Sequence, residues 1–384
     1  MLYPDHSEEY NAILESFGDF VEKEVLPSAR RIDREATFPA ESMSKIFKQG
    51  FTNIPYSGDL GGLGLPYPIY IACMELVAKA CASTAISLAI HGTVCDGIYQ
   101  FGNASQHVDY LKPLILGEKL AAFALTESEA GSDAKSMTTR AELNGDEWTI
   151  NGSKMFITNS GKADYYFLFA RTKKGYASII VPKDSHGFSH GVNIPKLGLK
   201  GSSLMALNFD NVKVPRDNLV GADGEGFEYA KKMLFGGRIT VAAISVGIAQ
   251  MALEKSIKYA TERSAFGKKI SDFEITRGKI AEMQTEVDAA RLLTYHAAHL
   301  KGRRKKERGE EEEKEFFKAA CEAKLYATEM ALRVCNEAIQ IHGGFGYTDE
   351  ADVHRHWRDA KLMTIGEGTS EIMKVIISGL VLES

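Results

Sequence analysis

The chain has 384 residues, 44% hydrophobic and 25% charged, with a formal net charge of -5. That size and balance suit a globular protein of roughly two or three domains with a sizeable core. The mild acidity gives no pull toward nucleic acid or an anionic membrane.

The five cysteines (Cys73, Cys81, Cys95, Cys321 and Cys335) form no C-x-x-C pair, so neither a disulfide framework nor a zinc site is expected. The first residues, MLYPDHSEEY, carry acids and no apolar run. They resemble neither a secretory signal nor a transit peptide. No run of roughly 18 apolar residues is visible, so no transmembrane helix is expected. A reduced, cytoplasmic setting follows as the default.

Residues 1–118 read as a helical domain. Ser7 opens SEEYNAILESFGDFVEKEVL as a capping box, with Tyr10, Ile13, Leu14 and Phe17 on one face. GGLGLP, Gly61 to Pro66, is a turn rather than a nucleotide loop, because no strand leads into it. Residues 119–225 change character to short β-rich runs. Asn144-Gly145-Asp146 and Asn151-Gly152 bracket EWTI as a hairpin signature. YYFLFAR, ASIIVP and LMALNFDNVKVP follow as strands, and their spacing predicts a β-barrel or sandwich. Helix returns over 226–384. The first half of ITVAAISVGIAQMALEKSIKYATERSAF is apolar all round and predicts a buried helix. KGRRKKERGEEEEKE, Lys301 to Glu315, reads as a solvated connection whose opposite charges cancel. The class is α+β: helices, then β, then helices.

Several stretches have residue types suited to chemistry. FALTESEAGSD, Phe123 to Asp133, supplies hydroxyls and a bare backbone at Gly131, suited to a pyrophosphate or a flavin edge; the plain alternative is a capped turn. KMFITN offers Phe156 and Thr158, which strand alternation puts on one side, suited to a flat ring. Arg263 in RSAFGKK is either a helix-dipole partner or a phosphate ligand. QIHGGFG, Gln340 to Gly346, ends a helix with paired glycines. His342, His354 and His356 lack carboxylates at ligand spacing, so no metal is expected. In MTIGEGTSEIM, Glu367 stands between two glycines, each costing ~1 kcal/mol of helix propensity.

Taken together, ALTESEAGSDA, NGSKMFITNS, ERSAFGKKI, QIHGGFGYT and RDAKLMTIGEGTSEI resemble the acyl-CoA dehydrogenase family, in order along essentially the whole chain. The resemblance implies an N-terminal helical domain, a central β domain and a C-terminal four-helix bundle. It also implies FAD, shared between subunits of a homotetramer, and electron-transferring flavoprotein as acceptor. Phe123, Leu125, Thr126, Gly131 and Ser132 would then hold the flavin and pyrophosphate. Phe156 and Thr158 would flank the ring, and Thr369 to Glu371 would close over the cofactor. Arg263, Phe266, Gln340, Gly343 and Gly344 would reach the FAD of a neighbouring subunit. Ser132 and Arg238 would contact the CoA part of the substrate.

Glu367 would be the catalytic base, taking the α-proton of a thioester while a hydride leaves for flavin N5. Its flanking glycines would let the backbone approach the thioester oxygen. Burial by an acyl chain would raise its pKa. The family's other placement of the base falls here on Gly237, which argues against the isovaleryl- and long-chain-specific members.

Three features depart from the family pattern. Gly366 replaces the usual aromatic before the base, which predicts a wider pocket wall. Glu274 follows Phe273 where Gln is common in the family, which alters one adenine-side contact that the resemblance implies. Asp96, in HGTVCDGIYQFG, is an unusual charge beside the acyl pocket. It is either a helix-end residue in solvent or, with His91, a pocket group for a polar, dicarboxylic or alicyclic acyl chain. An acyl-CoA oxidase and a non-catalytic scaffold are the other readings.

Overall fold

The computed structural model describes residues 8–302 and 309–382. The expected cap at Ser7 and the middle of the basic run fall outside them. Helices α1 (Glu8–Glu24), α2 (Leu26–Glu35) and α3 (Ala40–Lys48) lead into α4 (Tyr67–Ala80) and α5 (Ala82–Phe101). Short α6 (Ala104–Gln106) and α7 (Lys112–Ile115) complete the first helical layer. In α1 the spacing of Leu14, Phe17 and Val21 buries one stripe. By contrast α4 and α5 are buried on nearly every side.

Seven strands form one mixed sheet: β1 (Ala121–Ala124), β2 (Arg140–Asn144), β3 (Glu147–Thr158), β4 (Tyr165–Thr172), β5 (Gly175–Pro182), β6 (Phe188–His190) and β7 (Leu204–Pro215). The order is β1-β4-β2-β3-β7-β6, with β5 paired to β4. β1 runs parallel to β4, while β3 runs antiparallel to β2 and β7. The predicted hairpin is present, turning at Gly145 with φ 63° and pairing Asn144 with Glu147. Asn151-Gly152 is not a second turn. It lies inside β3, where the register with β7 shifts between Ile150 and Gly152. Gly152 has φ 142°, and a Cβ there would stand 2.7 Å from the Thr139 backbone. The glycine is needed for a bulge, not a loop.

The C-terminal layer consists of α8 (Gly226–Glu262), α9 (Glu274–Gly302), α10 (Glu310–Gly346), α11 (Val353–Met363) and α12 (Ser370–Leu382). A two-residue-strand hairpin, β8 (Ser264–Ala265) with β9 (Lys268–Lys269), follows α8. The apolar middle of α8 is long enough to cross a membrane, yet it is buried inside the protein between α4, α5, α9 and α10. One core cluster therefore unites Ile69–Ala89 residues with Ile239–Leu253 and Ala319–Ala338 residues. Each fully buried Ile or Leu there contributes about 1.5–3 kcal/mol. This shared core fixes α8 and α10 side by side, and those two helices build the floor of the site.

Candidate active site at the Glu367 loop

After α11 the chain closes a tight loop. The Ile365 and Gly366 N–H groups both donate to the Leu362 carbonyl at 2.9 Å, and the Ser370 N–H returns to Thr364 O at 3.0 Å. Within it Glu367 has φ 56° and Gly368 φ 97°. A left-handed residue bearing a Cβ costs about 1–3 kcal/mol, and such strain concentrates at functional sites. A Cβ on Gly366 would meet only Leu362 O, at 3.7 Å, so that wall is open.

The Glu367 carboxyl points at α8. A Cβ on Gly237 would stand 2.6 Å from Glu367 Oε2 and 2.9 Å from Cδ. Oε2 is buried and has no hydrogen-bond partner among the described residues. Burial pushes this carboxyl up to about 7; the positive charges of Arg238 and Lys324 oppose that shift without cancelling it.

Two buried cations grip the loop by its backbone. Arg238 Nε donates to Glu367 O at 3.3 Å, and its Nη1 to Cys321 Sγ at 3.4 Å. Its guanidinium lies 4.6 Å from the centre of the Phe235 ring. Lys324, fully buried, donates to Gly368 O at 2.6 Å. Ser370 Oγ donates to Glu329 Oε1 at 2.6 Å, tying the start of α12 to α10. The arginine expected at CoA thus contacts the Glu367 loop as well as Cys321 of α10 and Phe235 of α8. Lys324 was missed by sequence reasoning. Its signal was a lysine on the apolar stripe of α10, in register with the buried Ala327, Thr328 and Ala331.

A second group lies where β1 leaves the first layer. Phe123 and Leu125 are buried in the core, Phe123 with its ring 5.1 Å from Phe169. Beyond them Gly131 and Ser132 are exposed, and a Cβ on Gly131 would meet nothing within 4 Å. Met155 N donates to Thr126 O at 2.8 Å, joining this loop to β3. Beneath the junction Lys154 Nζ donates to Leu125 O and to Glu127 Oε1, both at 2.9 Å. Phe156 has φ 58° and is 57% exposed. A register shift between Lys154 and Ile157 accompanies it, so the alternation that put Phe156 and Thr158 on one side does not apply. The bulge, not the pleat, aims the ring.

A third group gathers at the ends of α8 and α10. Tyr259 stacks on His342 at 4.4 Å and on Phe345 at 5.9 Å, and the Arg263 N–H at the end of α8 donates to Tyr259 O at 2.9 Å. Gly343 breaks the helix with φ 58° and ψ -144°, and neither it nor Gly344 has an atom within 4 Å of a built Cβ. Phe266, with φ 50°, is 97% exposed. Thr369 caps α12 by accepting from Ile372 N at 3.3 Å, while Glu371 is exposed. Exposed rings, hydroxyls and unobstructed glycine backbone fit a flat cofactor with a pyrophosphate. Among the described residues no cluster of three metal-ligating side chains occurs.

Asp96 is not a solvent-facing helix end. Its Oδ2 accepts from Lys301 Nζ at 2.9 Å and from Gln100 Nε2 at 2.8 Å, with 19% of the side chain exposed. Lys301 also donates to Tyr67 OH at 3.2 Å, so this residue turns inward instead of belonging to a solvated run. A Cβ on Gly236 would meet Lys301 Nζ and, at 3.3 Å, Asp96 Oδ2. The pair therefore lies one residue along α8 from the contact of Glu367. His91 faces elsewhere. It accepts from Ala121 N at Nδ1 (3.2 Å) and meets Leu114 O through Nε2 (3.1 Å), pinning α5 to α7 and β1. Burial holds it down at about 4, so it is neutral and structural, which removes it from the pocket.

Helices packed around a mixed sheet thus present, on a strained loop, a buried carboxyl oxygen that is unpartnered among the described residues. Residues 7–118, 122–212 and 224–381 match the N-terminal, middle and C-terminal domains of acyl-CoA dehydrogenases. The chain belongs to the acyl-CoA dehydrogenase family. It is 38% identical over 98% of its length, and 99% of the relative's, to a subunit of the caffeyl-CoA reductase–Etf complex of Acetobacterium woodii. Its fold is similar to butyryl-CoA dehydrogenase from Megasphaera elsdenii, with TM-score 0.94, 37% identity, and 99% and 100% of the two chains covered. It is also similar to an acyl-CoA dehydrogenase complexed with FAD from Bacillus anthracis, with TM-score 0.93, 31% identity, and 99% and 67% covered.

Proposed function

We propose that this protein carries out FAD-dependent α,β-dehydrogenation of an acyl-CoA thioester, with Glu367 as the base that takes the α-proton. The observation that carries this reading is the Glu367 carboxyl: its Oε2 is buried and unpartnered among the described residues, and desolvation pushes the group up to about 7. A base for a weak carbon acid works best with a pKa near the operating pH. FAD, when bound, supplies the acceptor for the β-hydride. Thr126, Gly131, Ser132, Phe156 and Thr158 hold it from one chain. Arg263, Phe266, Gln340, Gly343, Gly344, Thr369 and Glu371 complete such sites, those at the ends of α8 and α10 across a subunit boundary. The almost fully exposed Phe266 supports that assembly, a homotetramer, because so bare a ring needs a cover. Ser132 meets the CoA moiety, and Arg238 supports both CoA and the Glu367 loop.

The glycine at 237 leaves α8 without a base, so the placement at 367 resembles that of the short-, medium- and short-branched-chain members. Gly366 widens the wall beside the acyl group. A second reading follows from the Asp96–Lys301 pair beside Gly236: the pocket takes a dicarboxylic or alicyclic acyl group that this pair addresses. Electron-transferring flavoprotein is the acceptor, as the Etf-complex relative supports.

Anaerobic titration with straight, branched, cyclic and dicarboxylic acyl-CoAs, followed by the flavin absorbance band, tests this. Bleaching by one class, abolished in E367Q, is the expected result. A flavin-loaded protein bleached by none would sink it, and rapid reoxidation by oxygen would instead favour an oxidase.

A further inference from the structure

A fully buried lysine is costly, because its charge leaves water without leaving the protein. Lys324 is one of these, and among the described residues no carboxylate accepts its hydrogen bond; Nζ donates to Gly368 O at 2.6 Å. Arg238 Nε reaches the preceding carbonyl, Glu367 O, at 3.3 Å. Two cations from two helices thus hold successive carbonyls on the two left-handed residues of the loop.

The geometry points to Lys324 as a positioning residue that, together with Arg238, clamps this strained turn and supplies the positive field in which Glu367 gains and loses its proton. The inference rests on Glu367 being the base. Held this way, the Glu367 and Gly368 carbonyls stay turned into the bundle. The Glu367 N–H makes no backbone hydrogen bond among those present and remains free for a substrate oxygen. Other groups facing the pair are Cys321 and Glu329 from α10, and Asp96 from α5 with Lys301 from α9 beyond Gly236. Burial, then repulsion by Arg238, lowers Lys324 to about 8, with Glu367 and Glu329 drawing it back up. Below that pH it is a cation, and it favours the ionised form of Glu367.

The test uses the FAD-loaded full chain carrying Lys324→Met, which removes both charge and donor, or Lys324→Gln, which keeps a donor without charge. Glu367 protonation is read by difference infrared of its carboxyl stretch against E367Q, from pH 5 to 9, independently of turnover. In both variants the midpoint should rise by about one unit. Flavin reduction at pH 6 should fall about tenfold and converge with wild type near pH 9. Where the two variants differ is below pH 9, with K324Q losing less than K324M because its amide can still donate to the Gly368 carbonyl. An unmoved midpoint in a folded variant would overturn the inference, as would failure of both variants to fold, since Lys324 would then serve the fold alone. If E367Q still turns over, it is the base assignment that fails, and the infrared shift remains readable.

Discussion

Among the described residues two carboxylates, Glu127 and the half-buried Glu367, lie near fully buried lysines, and they end in opposite states. In the sheet, Glu127 accepts from Lys154 Nζ at 2.9 Å, from Thr138 N at 2.6 Å, from Thr138 Oγ1 at 2.8 Å and from Thr139 N at 3.0 Å. Burial raises its pKa, but those donors prevail and hold it well below the usual carboxylate range. In the bundle, Glu367 has Lys324 nearby, yet that ammonium is spent on the Gly368 carbonyl. The carboxyl is left with burial as its dominant influence and rises to about 7. The same two residue types make a structural clamp in one place and, in the proposed function, a proton acceptor in the other. What separates them is the set of donors: Thr139, Thr138 and then Lys154 hydrogen-bond the Glu127 carboxylate, while Glu367 has no such donor among the described residues to set against its burial.

That contrast can be broken by exchanging the consequences of losing each acid. Glu367→Gln should cut acyl-CoA-driven flavin reduction by at least about 10³-fold while leaving FAD content and the thermal midpoint near wild type. Glu127→Gln should do the reverse. It strands Lys154 without its partner, and urea unfolding should show a loss of about 3–5 kcal/mol with weakened FAD retention. A Glu127→Gln chain as stable as wild type would remove the distinction drawn above.

Smaller changes sharpen it. Gly237→Ala places a methyl against the Glu367 carboxyl, and displacement of a base by about 1 Å costs roughly 100-fold in kcat/KM. The stability of this variant should change little, since the flexible end of Glu367 gives way first. Stability against pH supplies the finest test. Because the folded-state pKa of Glu367 lies above its ordinary 4.5, the native state binds the extra proton between 4.5 and about 7. Its contribution is therefore fully present below 4.5 and is lost as pH rises through about 7. Relative to E367Q, the wild type should lose up to about 2–3 kcal/mol of unfolding free energy across that window. His91 acts with the opposite sense. Held near 4 by burial, it contributes stability above its ordinary 6.5 that is lost as pH falls through about 4. Denaturant midpoints of His91→Phe and wild type should converge toward pH 4.

Much of this was legible in one dimension. The helix–sheet–helix order, the hairpin at Gly145 and the end of α8 before Arg263 all follow from period, turn chemistry and capping. Glu367 betrayed itself because two glycines interrupt a helical run for no packing reason. These are local signals, carried by residues within one or two turns of each other. The β3 bulges at Asn151-Gly152 and Phe156 were not legible, because a register shift is a relation between strands. Neither was the parallel pairing of β1 with β4, which spans some forty intervening residues (Phe123 with Phe167).

The sequence by itself singled out Glu367 through the whole run RDAKLMTIGEGTSEI and not through glycine brackets alone, since Glu225 also stands between two glycines. Tertiary structure decided why it is exceptional. It brought Gly237 of α8 up to the carboxyl, turned Lys324 of α10 toward a carbonyl, and set the Asp96–Lys301 pair beside Gly236. Those choices depend on the shared core that fixes α8 against α10, and desolvation of a charge is a property of everything packed around it.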